Sequence, residues 1–269
     1  KNHQIAAAGT HERWVRHHTQ AHKMQSTSAF ASYGHMGSAH WRDALNGAKP
    51  FDAHVQAHLR KVYVTLTALV MMATAGALSH AQLGLGGVFT ALGALGCLVY
   101  MHSQPREARD ARAAAAAAFA FLKGASLGPL VAFADAVDPS LPVTALLGTA
   151  CVFGAFSAAA LFARRRSLLY IGGTLGSALT LMFWAAIANM FLRAPVLDIV
   201  LLYGGLMMFA GFVVFDTQLI IEKADARTAD YLSDAVALFI DFVAIFVRVL
   251  IILLRNRGGG ERKRRNNNR

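Results

Sequence analysis

Two aspartates sit where a carboxylate is costly. Asp216 lies in GFVVFDTQLII, near the end of an apolar run that opens around Ile199, and Asp241 lies in VALFIDFVAIFV, near the middle of the next run. An acid at membrane depth faces a bundle interior or a water-filled cavity, and marks an ion path, a proton relay or a paired charge. Two carboxyl groups close together in low dielectric cannot both ionise cheaply, so they share a proton near neutral pH and form a pH-sensitive latch. When doubly ionised the pair attracts a divalent cation, yet two carboxylates are too few for tight calcium binding, which uses about 6–8 oxygens. A weak, largely hydrated site suits passage better than storage.

Lys123 and Arg248 are the other ionisable side chains well inside apolar runs, and with the two aspartates their formal charges cancel. Such a set is expected to pair within the bundle; the purely structural reading of the two long cations is pairing or snorkelling. Arg248 follows Asp241 by two helical turns on the same face, which makes it a candidate counter-ion or gate. An intramembrane aspartyl protease also carries aspartates on adjacent helices, but the Gly-x-Gly-Asp pattern is missing, since Leu238-Phe239-Ile240 precedes Asp241. No phosphate loop, metal-ligand helix pair or nucleophile elbow occurs elsewhere, so neither an enzyme nor a cofactor is expected.

The elements that must position these groups are membrane helices. The 269 residues are 55% hydrophobic and only 15% charged, where a soluble domain carries about 25% charged residues. Seven apolar stretches stand out, at Val62–Ala81, Leu83–Met101, Ala113–Val137, Leu141–Ala163, Leu168–Leu192, Leu197–Ile221 and Tyr231–Leu254. Each is long enough to cross a hydrocarbon layer about 30 Å thick. The predicted organisation is an all-α, polytopic membrane domain over 51–254, a polar tail over 1–50 and a basic tail over 255–269. Phe51–Lys61 reads as a short helical entry, and the nearly apolar link between the first two stretches reads as a tight hairpin. On these boundaries Asp216 is about 8 Å and Asp241 about 15 Å from one end of the bundle, on sequence-adjacent antiparallel helices.

Charge sets the orientation. Arg106, Arg109 and Arg112, then Arg164-Arg165-Arg166, then Lys223 and Arg227 fall in alternate links, whereas the links between carry Asp135 and Asp138 or Arg193 alone. By the positive-inside rule the N-terminus and the Arg-bearing links are cytoplasmic. The C-terminal tail opposes this: its seven basic residues within Arg255–Arg269 favour the cytosol, yet seven full crossings place them on the other side. Either the last stretch does not span fully, or a late tail is tolerated once six helices have fixed the topology.

The net charge of +11 gathers at helix ends and in the tail, a topology pattern that excludes a nucleic-acid groove. Seven of the eleven histidines lie in residues 1–50, where His17, His18 and His22 can meet on one helical turn and hold a metal; low-complexity disorder is the plainer reading. No charged-then-apolar leader is visible there, so the first apolar helix is expected to act as its own insertion signal. Cys97 and Cys151 read as buried, reduced packing residues. Gly124/Gly128 and Gly172/Gly176 read as helix-packing pairs, and Pro129 as a kink.

At HLRKVYVTL (58–66), FLKGASLGP (121–129), ARRRSLLYIGG (163–173), GFVVFDTQLIIEKA (211–224) and DYLSDAVALFIDF (230–242), the chain resembles the Bax inhibitor-1 family, transmembrane proteins carrying the Bax-inhibitor motif, and within it the endoplasmic-reticulum branch of animals. The resemblance spans roughly 52–257. It implies six helices around a central seventh, a multi-pass endoplasmic-reticulum protein, a pH-sensitive calcium leak, and suppression of cell death through lower stored calcium and contacts with Bcl-2-family proteins and stress sensors. It also maps the family's paired aspartates, with weak and transient calcium, onto Asp216 and Asp241. Some animal members carry a further Asp four residues before the second, credited with pH sensing; Ala237 stands there, and Asp234 is the nearest acid. Two functions follow: a calcium leak channel gated by the aspartates, or a non-conducting scaffold working through its basic tail and the Arg164–Arg166 link.

Overall fold

In lipid every backbone polar group must be satisfied within its own segment, and these apolar stretches solve that as helices. The computed structural model describes residues 52–84, 86–162 and 171–267, with the backbone alone over 258–267. The histidine-rich tail and Arg164–Arg166 lie outside the described residues. Seven helices follow among those described: α1 (Ala53–Leu83), α2 (Val88–Ser103), α3 (Arg109–Val137), α4 (Ser140–Phe162), α5 (Ile171–Leu192), α6 (Pro195–Asp225) and α7 (Tyr231–Asn267). In α6 a π-helical turn at Val200–Gly204 interrupts the α-helix. Six of these are long and apolar enough to cross a membrane, and the chain is a polytopic helical membrane protein.

Two predicted boundaries move, each for a local reason. Nothing at Arg60-Lys61 breaks a helix, so the expected entry segment and first span are one helix, with Val55, Leu59, Val62, Leu66 and Leu69 buried along a single stripe. Gly84 (φ 63°) closes α1, its N–H reaching the His80 carbonyl at 2.9 Å, and Gly87 (φ 93°) delays the next helix to Val88. The second span therefore shrinks to 16 residues, about 24 Å. Nor do α1 and α2 pack as a hairpin: each lies chiefly on α3.

The last span is the hub. α7 packs on α1, α3, α4 and α6, while α2 and α5 attach through α3 and α6 respectively. Phe239 meets Phe119 of α3 edge-on at 5.7 Å, and Phe242 meets Phe153 of α4 at 5.6 Å. None of the most apolar window of α5 is buried, and Phe191 (83% exposed) and Met190 (73%) are left to lipid. Cys97 is half-buried and Cys151 is exposed on α4, so neither is the buried packing residue expected.

Small residues decide how closely α1 and α3 approach. A Cβ on Gly124 would run into the Ala73 carbonyl, and one on Gly76 into the Phe121 carbonyl; Gly128 is pressed against His80. Of the second expected pair, Gly172 lies against the Phe215 ring but Gly176 has open space around it. α3 runs through Pro129 without a break in the helix. At its end, the Asp138 carboxylate accepts from the Ser140 hydroxyl (2.7 Å) and N–H (2.9 Å), and these bonds hold it below its ordinary pKa. Asp138 also meets Arg257 at 2.7 Å. Arg257 is largely exposed and the pair adds little stability, but it places the far end of α7 beside the α3–α4 link. The last helix therefore crosses the full depth of the bundle.

Two outcomes follow from this packing. Gly124→Ala should destabilise the domain by about 1–3 kcal/mol, read as a lowered unfolding midpoint in detergent, while Gly176→Ala leaves it unchanged. Single cysteines placed beside Arg257 and in the Asp138–Ser140 link should label from one face of the membrane, and one beside Arg106 from the other.

Candidate functional site

α6 and α7 run antiparallel, and their facing residues repeat every seven positions. Lys223, Asp216 and Phe209 on α6 stand opposite Asp234, Asp241 and Arg248 on α7. Seven residues are nearly two turns, about 10.5 Å, so the seam carries three polar levels.

At the middle level the carboxyl groups of Asp216 and Asp241 lie within hydrogen-bond reach of each other. The expected 7 Å difference in height disappears because α6 continues past Ile221 to Asp225, which sets Asp216 level with Asp241. Asp241 is buried and Asp216 half-buried. Asp241 Oδ2 is enclosed with no hydrogen-bond partner among the described residues. Two carboxylates held this close in low dielectric repel when both are ionised. As a metal site the pair offers too few oxygens to hold calcium tightly.

At the level toward the C-terminal end of α7, Arg248 is not a counter-ion of Asp241. Its Nη1 donates to the Ala244 carbonyl at 2.8 Å, and the guanidinium lies 4.5 Å from the centre of the Phe209 ring. Gly205, just after the π turn, makes room for it, since a Cβ there would strike Arg248 Nε. Lys123 is half-buried on α3 and forms no ion pair among the described residues, so the four intramembrane charges do not neutralise one another as expected.

The third level lies toward the α6–α7 link. Asp234 is 2% exposed and accepts from His58 Nε2 at 3.0 Å and from Lys223 Nζ at 3.2 Å. Beside it a cleft of about 350 Å³ opens between Arg106, Arg112, Asp230 and Asp234. Arg112 is buried there; its Nη2 donates to Asp230 Oδ2 and, at 3.0 Å, to Ser233 Oγ, and its Nε reaches the Met101 carbonyl at 3.4 Å. Burial alone would raise the Asp230 carboxyl, but the bonds from Arg112 and Ser233, the Arg112 charge and the Leu232 N–H together hold it below its ordinary value. Sequence reasoning reached Arg112 only as a topology charge and Asp234 only as a nearby acid, and it passed over His58. The heptad register of 223/216/209 against 234/241/248 was a signal that would have found Lys223 and Asp234; the reach of His58 from α1 had none.

The fold and the paired carboxyls define a multi-pass helical membrane protein with a buried acidic seam. Residues 55–258 match the family model described as inhibitor of apoptosis-promoting Bax1. The chain is 41% identical over 232 residues to Bax inhibitor 1 of Arabidopsis thaliana, covering 85% of this chain and 94% of that protein. It is 39% identical over 218 residues to Bax inhibitor 1 of Homo sapiens, covering 80% and 92%. This chain belongs to the Bax inhibitor family, with plant and animal relatives at nearly equal identity.

Removing one partner of the buried Arg112–Asp230 pair strands the other. Asp230→Asn should cost about 3 kcal/mol, measured by chemical unfolding in detergent. Because the folded Asp230 pKa lies below its ordinary 3.8, the wild-type contribution is complete above that value and fades as pH falls through the lower folded one. The gap between wild type and variant should therefore close on acidification below about pH 4.

Proposed function

We propose that this protein is a pH-sensitive calcium leak channel of the endoplasmic-reticulum membrane, suppressing apoptosis and tempering stress signalling by lowering stored calcium. The observation that carries the reading is the contact of Asp216 with Asp241 between two spans. A proton held between the carboxyls ties α6 to α7; without it two anions repel, loosen the seam and draw in a divalent cation. The pair binds calcium weakly and transiently, as passage requires, and carries no enzymatic step. Family membership supports the link to cell death, since the relatives are named as inhibitors of Bax. Placing the N-terminus and the Arg106–Arg112 link in the cytosol follows the positive-inside rule, and makes the cleft at Arg112 and Asp234 the cytosolic mouth.

A second reading, a non-conducting scaffold that contacts Bcl-2-family and stress-sensing proteins, is favoured by one feature. The backbone of α7 stays helical through Asn267, carrying its basic residues beyond the span.

Calcium efflux from liposomes holding the purified protein separates the two. Wild type should leak calcium with a rate that differs between pH 6 and pH 8, and Asp216→Asn and Asp241→Asn should flatten that difference. Folded protein that passes no calcium at either pH sinks the channel and leaves the scaffold, for which deleting 255–269 should abolish partner binding.

A further inference from the structure

Between α1 and α4 the bundle is not closed. Both helices pack on α7, yet they scarcely touch each other, and a cavity of about 210 Å³ lies between them, walled also by α3 and α7. Phe239, Phe242 and Phe246 line it from α7, and two exposed side chains, Leu78 of α1 (62%) and Val143 of α4 (60%), mark its opening. Its α4 residues run from Pro142 to Leu146 in a helix that starts at Ser140, which sets the cavity about 3–9 Å below the end of α4 at the α3–α4 link. The helices around it are long and apolar enough to span a membrane. The opening between Leu78 and Val143 therefore faces the hydrocarbon of one leaflet.

The chemistry of the walls decides what fills this space. Water held inside a protein needs about 2–4 polar partners. Thr74 brings the one polar side chain among the described lining residues, and its hydroxyl already donates to the Val70 carbonyl at 2.9 Å. An apolar cavity of about 150 Å³ stays dry and takes up benzene, so a larger one open to lipid is a seat for hydrocarbon. A helix of a second copy, about 10 Å across with its side chains, is too broad to enter; a single hydrocarbon chain is not. We propose that the cavity seats one acyl chain of a bilayer phospholipid, drawn from the leaflet at the α3–α4 link, and that this chain bridges α1 and α4 against α7. Its hold comes from close packing on the three Phe rings and is indifferent to the headgroup. The site depends on neither the leak nor the scaffold reading.

The test uses the full chain, stripped of lipid in a steroidal detergent and titrated with palmitoyl-oleoyl phosphatidylcholine. Native mass spectrometry counts bound lipid, and thermal unfolding reads its effect. Wild type should hold one phospholipid and, with it bound, unfold about 3 °C higher or more. Glycerophosphocholine, the headgroup without chains, should do neither. Ala77→Phe fills the cavity from α1; it should weaken lipid binding about tenfold or more and remove the rise. Ala75→Phe, the same change at an exposed residue of α1 off the cavity, should keep both. Val143→Phe serves from the α4 side if Ala77→Phe folds poorly. The proposal falls if wild type binds no lipid, if glycerophosphocholine matches the lipid, if the filling variants bind as wild type does, or if Ala75→Phe loses as much as they do. A lipid-free dimer that Ala77→Phe takes apart also overturns it, since a second copy would then occupy the cavity.

Discussion

The register between α6 and α7 governs this structure, because a membrane offers no solvent to a misplaced charge. A half-turn slip would separate Lys223 from Asp234 and Asp216 from Asp241 together, leaving acids without partners at a depth where each costs about 2.5–3.5 kcal/mol on insertion scales. Spacing of seven on both helices makes all three levels fit or fail as one. The surrounding helices keep that alignment. The aromatic contacts Phe119–Phe239 and Phe153–Phe242 tie α7 to α3 and α4, and a core packed to native density does not slide by fractions of a turn.

The glycine crossing of α1 on α3 serves the same end at a distance. Without side chains at Gly76 and Gly124 the two backbones come almost into contact. α1 is also a single unbroken helix, which carries His58 to a defined height against Asp234. An entry segment hinged at Arg60-Lys61 would leave that imidazole free to wander. The buried carboxylate at Asp234 thus depends on a helix whose own position is set by small residues near its other end.

Much of this was legible in the sequence, and the reasons are physical. Seven apolar stretches and the pairing of Asp216 with Asp241 follow from hydropathy, helical rise and the expense of a buried acid. The shortening of α2 turned on the backbone angles of Gly84 and Gly87, which composition does not specify. Arg248 was misjudged because formal charge balance suggested acid–base pairing, whereas an aromatic face, a carbonyl of its own helix and the space above Gly205 accommodate the guanidinium. The contacts of His58 and Arg112 span more than a hundred residues of chain, and one sequence carries no local sign of them.

The three levels differ in what neutralises them. Asp234 has a lysine and an imidazole within hydrogen-bond distance, so its ionised form is matched by its neighbours. Arg248 is cushioned by the π face of Phe209 and by a backbone carbonyl, neither of which titrates. Asp216 and Asp241 have chiefly each other. No cation hydrogen-bonds to either among the described residues, and Asp241 Oδ2 has no donor at all there. That level is therefore the least neutralised of the three among the described residues.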